Sequence, residues 1–109
     1  CSLGDIGKHF PDTEKNIKGI NSLTMLSKVK KLLSDARENI SHIDCTLVGE
    51  SPKIAKYTDK MCNKLAKTLK TKKENISIKA TTTEGLGFTG RKEGISCYCV
   101  VTIKQEKNI

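Results

Sequence analysis

Apolar residues recur at three- and four-residue steps in two stretches of this chain and alternate with polar ones in others. Leu23, Leu26, Val29, Leu32 or Leu33, and Ala36 form the first stripe, which predicts a helix over about 22–39 with Ser22 as its N-cap. Lys28, Lys30, Lys31 and Arg37 fall on its other side. Ile43, Cys45 and Leu47 alternate with His42, Asp44 and Thr46, the pattern of a strand over about 41–49. Ser51-Pro52 then opens a second helix, with Pro in its first turn. Ile54, Tyr57, Met61, Leu65 and Leu69 make its stripe, and Lys67, Lys70, Lys72 and Lys73 crowd its C-terminal end, where cations complement the helix dipole. Ile76, Ile78 and Ala80 alternate with Ser77 and Lys79 in a second strand, and Ile95 to Ile103 reads as the last. Residues 1–21 read as a loop, with Phe10 held extended by Pro11 and turn chemistry at Pro11-Asp12-Thr13. This order predicts an α+β fold, with helices packed on one face of a sheet.

At 109 residues, without repeat or low-complexity linker, the chain reads as a single domain over 1–109. Chains this short are often marginal alone, and oligomerisation is one remedy. The formal charge is +8, carried mostly by lysine, since Arg37 and Arg91 are the only arginines. Lysines spread along helices read as a solvated face or as attraction for a polyanion. Nucleic acid is the usual partner of a basic chain. With four aromatics and no Trp, stacking on single strands is poorly served, and a small phosphorylated substrate fits better than nucleic acid. No apolar run reaches a membrane span, and no signal-peptide pattern opens the chain. Cys1, Cys45, Cys62, Cys97 and Cys99 are odd in number and irregular in spacing. They predict buried reduced thiols rather than a disulfide framework or a Cys-x-Cys metal site. The sequons at Asn39 and Asn75 carry meaning only in a secreted chain, and a reducing compartment would leave them unused.

Residues 79–95 carry the most chemistry. Thr81, Thr82 and Thr83 present three hydroxyls and a run of backbone N–H groups, which suit phosphate oxygens. Glu84 follows at once, and a carboxylate beside phosphates is repulsive unless a divalent cation lies between them. Gly85, Gly87, Gly90 and Gly94 let the backbone turn sharply and approach a ligand. Two readings stand on residue types alone: a loop holding phosphate and metal, or a Thr-rich strand end before a Gly-rich turn.

This stretch, Lys-Ala-Thr-Thr-Thr-Glu-Gly-Leu-Gly-Phe-Thr-Gly-Arg-Lys-Glu-Gly-Ile, resembles the signature of the 2-C-methyl-D-erythritol 2,4-cyclodiphosphate synthases. Asp5 to Glu14 with Lys18-Gly19 and Ser22, and Asp44 to Val48 with Ser51-Pro52-Lys53, resemble two further blocks in the family's order and spacing. The likeness runs from about Leu3 to Ile103 and opens midway through the family's pattern. The chain therefore looks like a C-terminal portion. The family's zinc ligands, an Asp-x-His pair and a further His, lie upstream of that point, and neither His9 nor His42 matches one. Zinc ligands are thus expected outside this chain. The resemblance implies a homotrimer, with a mixed, ferredoxin-like-related sheet facing the three-fold axis and the missing first strand supplied upstream.

It also implies an activity: a phosphorus–oxygen lyase of non-mevalonate isoprenoid biosynthesis, in a bacterial cytoplasm or a plastid. The 2-phosphate of a CDP-linked methylerythritol phosphate attacks the β-phosphate, and CMP leaves. By resemblance Asp5 and Gly7, flanking Ile6, hold the ribose. Phe10, Pro11, Asp12, Thr13 and Glu14 form a loop over the erythritol phosphate. Gly49, Glu50, Ser51, Pro52, Lys53, Ile54 and Ala55 form the cytidine pocket, with Lys53 neutralising a phosphate. The family usually has Gln where Glu50 stands and Asp where Glu14 stands, which weakens both assignments. Thr81, Thr82 and Thr83 bind the diphosphate, with Thr82 nearest the developing charge, and Glu84 holds magnesium or manganese. Phe88, Arg91 and Glu93 line an axial cavity that can accept an isoprenoid diphosphate. Arg91 is then either an anion anchor or half of an ion pair with Glu93 between subunits. A basic module docking RNA or another polyanion without chemistry is the alternative function.

Overall fold

The computed structural model describes residues 1–13 and 19–106. They form two compact units, Cys1–Asn39 with the chain end from Gln105, and Ile40–Lys104. Glu14 and Lys18 of the first resemblance block lie outside the described residues.

In the first unit a single turn, α1 (Ile6–His9), precedes the helix α2 (Ser22–Asp35). α1 falls within the stretch read as loop; Lys8 N donates to Asp5 O at 3.0 Å and Phe10 N to Ile6 O at 2.9 Å. The N-cap of α2 is Asn21 rather than Ser22: its side chain accepts from Leu23 N at 2.8 Å. Both are good caps, and Asn21 takes the extended backbone that a cap needs. α2 stops at Asp35, four residues short of the predicted end, because Arg37 adopts φ 59°, a left-handed turn that reverses the chain into the first strand. Leu23, Leu26, Val29, Leu32 and Leu33 are half-buried, and no residue of α2 is fully buried.

In the second unit the strands β1 (Glu38–Val48), β2 (Ile76–Thr81) and β3 (Ser96–Gln105) form one sheet in the order β2-β1-β3. β1 and β2 are parallel, with Ile43 opposite Ile76 and Val48 opposite Thr81. The connection between them is a 3₁₀ turn (Ala55–Tyr57) and the helix α3 (Thr58–Leu69), as a parallel pair requires. β3 runs the other way along β1, since Arg37 pairs with Glu106 and Cys45 lies beside Cys99, so the sheet is mixed. The core is Ile43 and Ile76 on the sheet against Cys62, Ala66 and Leu69 on α3. Alternation therefore turns Ile43, Cys45 and Leu47 towards α3 and Asp44 and Thr46 away from it. Lys79 pairs with Asp44 on that outer face. α3 ends in the left-handed Lys70 (φ 54°), and Thr71 N donates to Ala66 O at 3.0 Å. This is the α+β class expected from the pattern.

Pro52 does not open a helix. The Ser51–Pro52 peptide is cis, and the first helical turn begins with Tyr57 N donating to Ile54 O at 2.8 Å. Lys53 thus stands in a loop ahead of the helix rather than in its first turn. The thiols also differ from expectation. Only Cys62 is buried, while Cys97 and Cys99 are exposed because β3, among the described residues, has one neighbouring strand and no helix packed over it.

Leu69 is 3% exposed at the centre of the small core. Leu69→Ala is expected to destabilise this unit by about 3 kcal/mol, the lost transfer energy plus the cavity left behind. Urea unfolding followed by circular dichroism measures it.

Candidate active site

β2 ends at Thr81 and delivers the threonine run into a tight loop. Thr82 Oγ1 accepts from Glu84 N at 3.2 Å, and Glu84 takes φ 53°. That backbone is strained for a residue with a side chain, and it turns the carboxylate outward with no partner among the described residues. Gly85 continues at φ 80°, which glycine adopts freely. The one-turn helix α4 (Gly87–Gly90) closes the loop, and Gly90 lies directly on the Gly85 backbone. A Cβ at Gly90 would stand 2.2 Å from the Gly85 carbonyl carbon.

Thr83 is spent inside the loop. Its hydroxyl lies 2.9 Å from that of Thr89, and it donates to Leu86 O. Thr89, 5% exposed, is a structural anchor that the sequence did not single out. Its only signal is its place six residues after Thr83. Thr81 and Thr82 remain at the surface, on a small cavity of about 90 Å³ that they share with Gly49, Pro52, Lys53, Ile54, Ala55 and Ala80. The structure so brings the 49–55 segment to the threonine run. Gly49 N donates to Thr81 O at 3.0 Å. Lys53 is exposed on that cavity and, among the described residues, has no ion-pair partner. An adjoining apolar cavity of about 240 Å³ lies among Leu47, Val48, Gly49, Pro52, Ile54, Met61, Ala80 and Ile95.

Glu50 joins the two segments. Its Oε1 accepts from Gly85 N at 3.2 Å, so a residue discounted at the sequence level clasps the glycine loop from 35 positions away. Ser51 is exposed at the cavity rim. Phe88 is half exposed on α4. Arg91 Nε and Nη2 donate to Glu93 Oε1 and Oε2 at 2.8 and 3.3 Å. Within the single chain, then, two residues of one turn already form this ion pair.

In the first unit Asp5 precedes α1, and one of its carboxylate oxygens lies 3.2 Å from where a Gly7 Cβ would be. Gly7 thus leaves the Asp5 carboxylate uncovered. Ile6 is 58% exposed. Phe10 and Pro11 are half-buried, Phe10 in a groove with Lys28, Leu32 and Asp35 of α2, while Asp12 and Thr13 are exposed. His9 Nε2 lies 2.7 Å from Leu3 O. Among the described residues no three His, Cys, Asp or Glu side chains are grouped to hold a metal, and no helix is long and apolar enough to cross a membrane.

The family model of the YgbB family matches residues 1–104. The 2-C-methyl-D-erythritol 2,4-cyclodiphosphate synthase of Desulfitobacterium hafniense is 50% identical over 102 residues, 94% of this chain and 65% of that protein. The synthase of Clostridium botulinum is 50% identical over 100 residues, 92% and 64% of the two chains. The chain thus spans just under two thirds of the length of these curated relatives. Among solved structures, the bifunctional IspDF of Campylobacter jejuni superposes with a TM-score of 0.90 at 36% identity, over 95% of this chain and 28% of that one. The CDP complex of Plasmodium falciparum IspF gives 0.80 at 27% identity, over 96% and 62%. Two loops that meet at one cavity, the three sequence blocks and these likenesses agree, and the chain belongs to the YgbB family.

Proposed function

We propose that this chain supplies the nucleotide- and magnesium-facing part of a 2-C-methyl-D-erythritol 2,4-cyclodiphosphate synthase. The observation that carries this reading is the cavity where the 49–55 segment meets Thr81 and Thr82, with a cation (Lys53) and a carboxylate (Glu84) on the flanking loops, both unpaired among the described residues. An intramolecular phosphoryl transfer needs little covalent chemistry from the protein, but it needs the diphosphate held in line and its charge neutralised. Thr81 and Thr82 hydroxyls and backbone N–H groups hold phosphate oxygens, and Lys53 offsets their charge. Backbone groups of Gly49 to Ala55 border the apolar cavity and read the cytosine edge. Asp5 accepts from the ribose hydroxyls beside Gly7. Phe10 to Glu14 would cover the erythritol phosphate.

A single outward carboxylate suits magnesium or manganese, which is commonly held by one or two carboxylates plus substrate phosphates. Glu84 would hold such an ion, which supplies charge neutralisation at the diphosphate. The described residues do not fit zinc, since no group of three ligands is present among them. Zinc ligands belong, on this reading, to sequence outside this chain.

The open outer face of the sheet supports assembly. Tyr98 and Val100 on the outer face are 66% and 68% exposed, an apolar patch that a homotrimer with sheets about its axis would cover. Phe88 and Arg91 would then line the axial cavity, where Arg91, already paired with Glu93, offers an isoprenoid diphosphate a partly neutralised anchor. The reaction class is that of a phosphorus–oxygen lyase, in a bacterial cytoplasm or plastid.

Full-length protein given the CDP-linked substrate, zinc and magnesium is expected to release CMP. Absence of CMP together with tight, salt-sensitive RNA binding would replace this reading with the polyanion-binding one. Lys53→Ala is expected to weaken CDP binding roughly tenfold or more, the loss of one charge-assisted contact. Calorimetry measures it, and unchanged affinity removes Lys53 from the site.

A further inference from the structure

Cys45 lies on β1 and Cys99 on the neighbouring strand β3, 54 residues later, and their sulfurs are 3.4 Å apart with Cys45 Sγ–H donating to Cys99. Both side chains project from the sheet face that α3 packs on, opposite the face bearing Tyr98 and Val100. We propose that Cys45 and Cys99 are a redox-active dithiol, which a low-molecular-weight disulfide such as oxidised glutathione converts into a disulfide joining β1 to β3.

Two thiols already in contact across adjacent strands need only side-chain rotation to reach bonding distance. Cys97 competes poorly. It sits two positions from Cys99 on one strand, about 6.6 Å away at Cα, near the limit for a bridge. Cys62 is sequestered under α3, with its thiol directed at Ile76 O. Besides Cys99, the neighbouring groups that bear on Cys45 are Cys97 and Asp44.

The two thiols take different parts. Cys99 is exposed, within reach of a dissolved disulfide, and receives the Cys45 S–H. Cys45 is half-buried, and its thiol is pushed up to about 12, first by burial and then by Cys99 beside it. Cys45 therefore stays protonated at the start. In the first step the Cys99 thiolate attacks one sulfur of the glutathione disulfide. A mixed disulfide forms and one glutathione thiolate leaves. Cys99 is then neutral, one cause of the raised Cys45 value is gone, and Cys45 loses its proton to the departing thiolate or to water. Its thiolate attacks the Cys99 sulfur and expels the second glutathione. Two protein thiols are oxidised and one glutathione disulfide is reduced to two glutathiones.

The test uses full-length protein, oxidised glutathione as the probe, alkylation of remaining thiols, and peptide mapping by mass spectrometry. The expected product is a linked peptide pair containing Cys45 and Cys99, two hydrogens lighter than its reduced parts and undone by dithiothreitol. Cys97→Ser retains it. Cys45→Ser arrests the reaction with glutathione on Cys99. A bridge through Cys97, a bridge between chains, or no bridge in the unmutated protein under conditions that oxidise free dithiothreitol would overturn the proposal. The unmutated protein alone decides the matter if a variant fails to fold.

Discussion

In the full-length protein, on the function proposed above, Glu84→Gln is expected to lower CMP release by roughly two to three orders of magnitude, the usual loss when one preorganised electrostatic group is removed from a reaction centre. The reasoning starts from the backbone. Glu84 is held at φ 53° by its own N–H on Thr82 Oγ1 and by the left-handed Gly85 that follows. Gln has the same shape and meets the same strain, so the loop keeps its path. Only the charge goes. A neutral amide oxygen holds magnesium weakly, and the diphosphate then meets its own repulsion. The expected signature is a fall in turnover that raised magnesium partly restores, with assembly by sedimentation and far-ultraviolet circular dichroism unchanged. Loss of assembly in this variant would assign Glu84 a structural role instead.

Gly90→Ala is the second large effect. The added methyl would sit 2.2 Å from the Gly85 carbonyl carbon and 2.7 Å from its oxygen, and both are backbone atoms that no rotamer change can move aside. Gly85 must therefore shift, and it is the residue that Glu50 clasps and that follows Glu84 directly. A displacement of about 1 Å at a positioning element costs on the order of a hundredfold in rate. Turnover is expected to fall by that order, with the α3–sheet core intact because Gly90 contributes nothing to it. An amide spectrum in which Ile43, Ala66 and Ile76 hold their positions while Thr82 to Gly85 move would match. Full activity would show that the loop accommodates the methyl elsewhere.

Much of the fold was legible in one dimension. Alternation at Ile43, Cys45 and Leu47, and again at Ile76, Ile78 and Ala80, marks strands because burial on one face repeats every second residue. The stripe from Met61 to Leu69 marks α3 in the same way. What escaped depends on distant partners. Nothing in Ala36 to Asn39 forbids a helix, and α2 ends there because the chain must turn into β1, with Arg37 O accepting from Glu106 N at 2.8 Å. Pro52 after Ser51 reads as a helix start, yet the segment is held instead by Gly49 on Thr81 and Glu50 on Gly85. The burial of the cysteines was misread because β3 resembles an inner strand in composition, rich in Val, Ile and Tyr. It is apolar on both faces, and both lie open along Cys97 to Val101 in the single chain.

The site divides the same way. The chemistry of Thr82 and Glu84 shows in residue types, and the resemblance adds Lys53 and the 49–55 segment. The clasp by Glu50 and the anchor at Thr89 do not show, since each is a pairing between residues whose types alone permit many others. Thr83, equivalent to its neighbours on paper, turns inward to Thr89 and leaves two threonines rather than three for a ligand.

The most direct test is a crystal structure of the full-length protein with CDP and magnesium. The cytosine is expected against the Gly49–Ala55 backbone, the diphosphate on Thr81 and Thr82 within reach of Lys53, and a magnesium ion between Glu84 and the phosphates. CDP bound elsewhere, on the α1–α2 groove or the lysine face of α3, with the threonine cavity empty, would contradict the account.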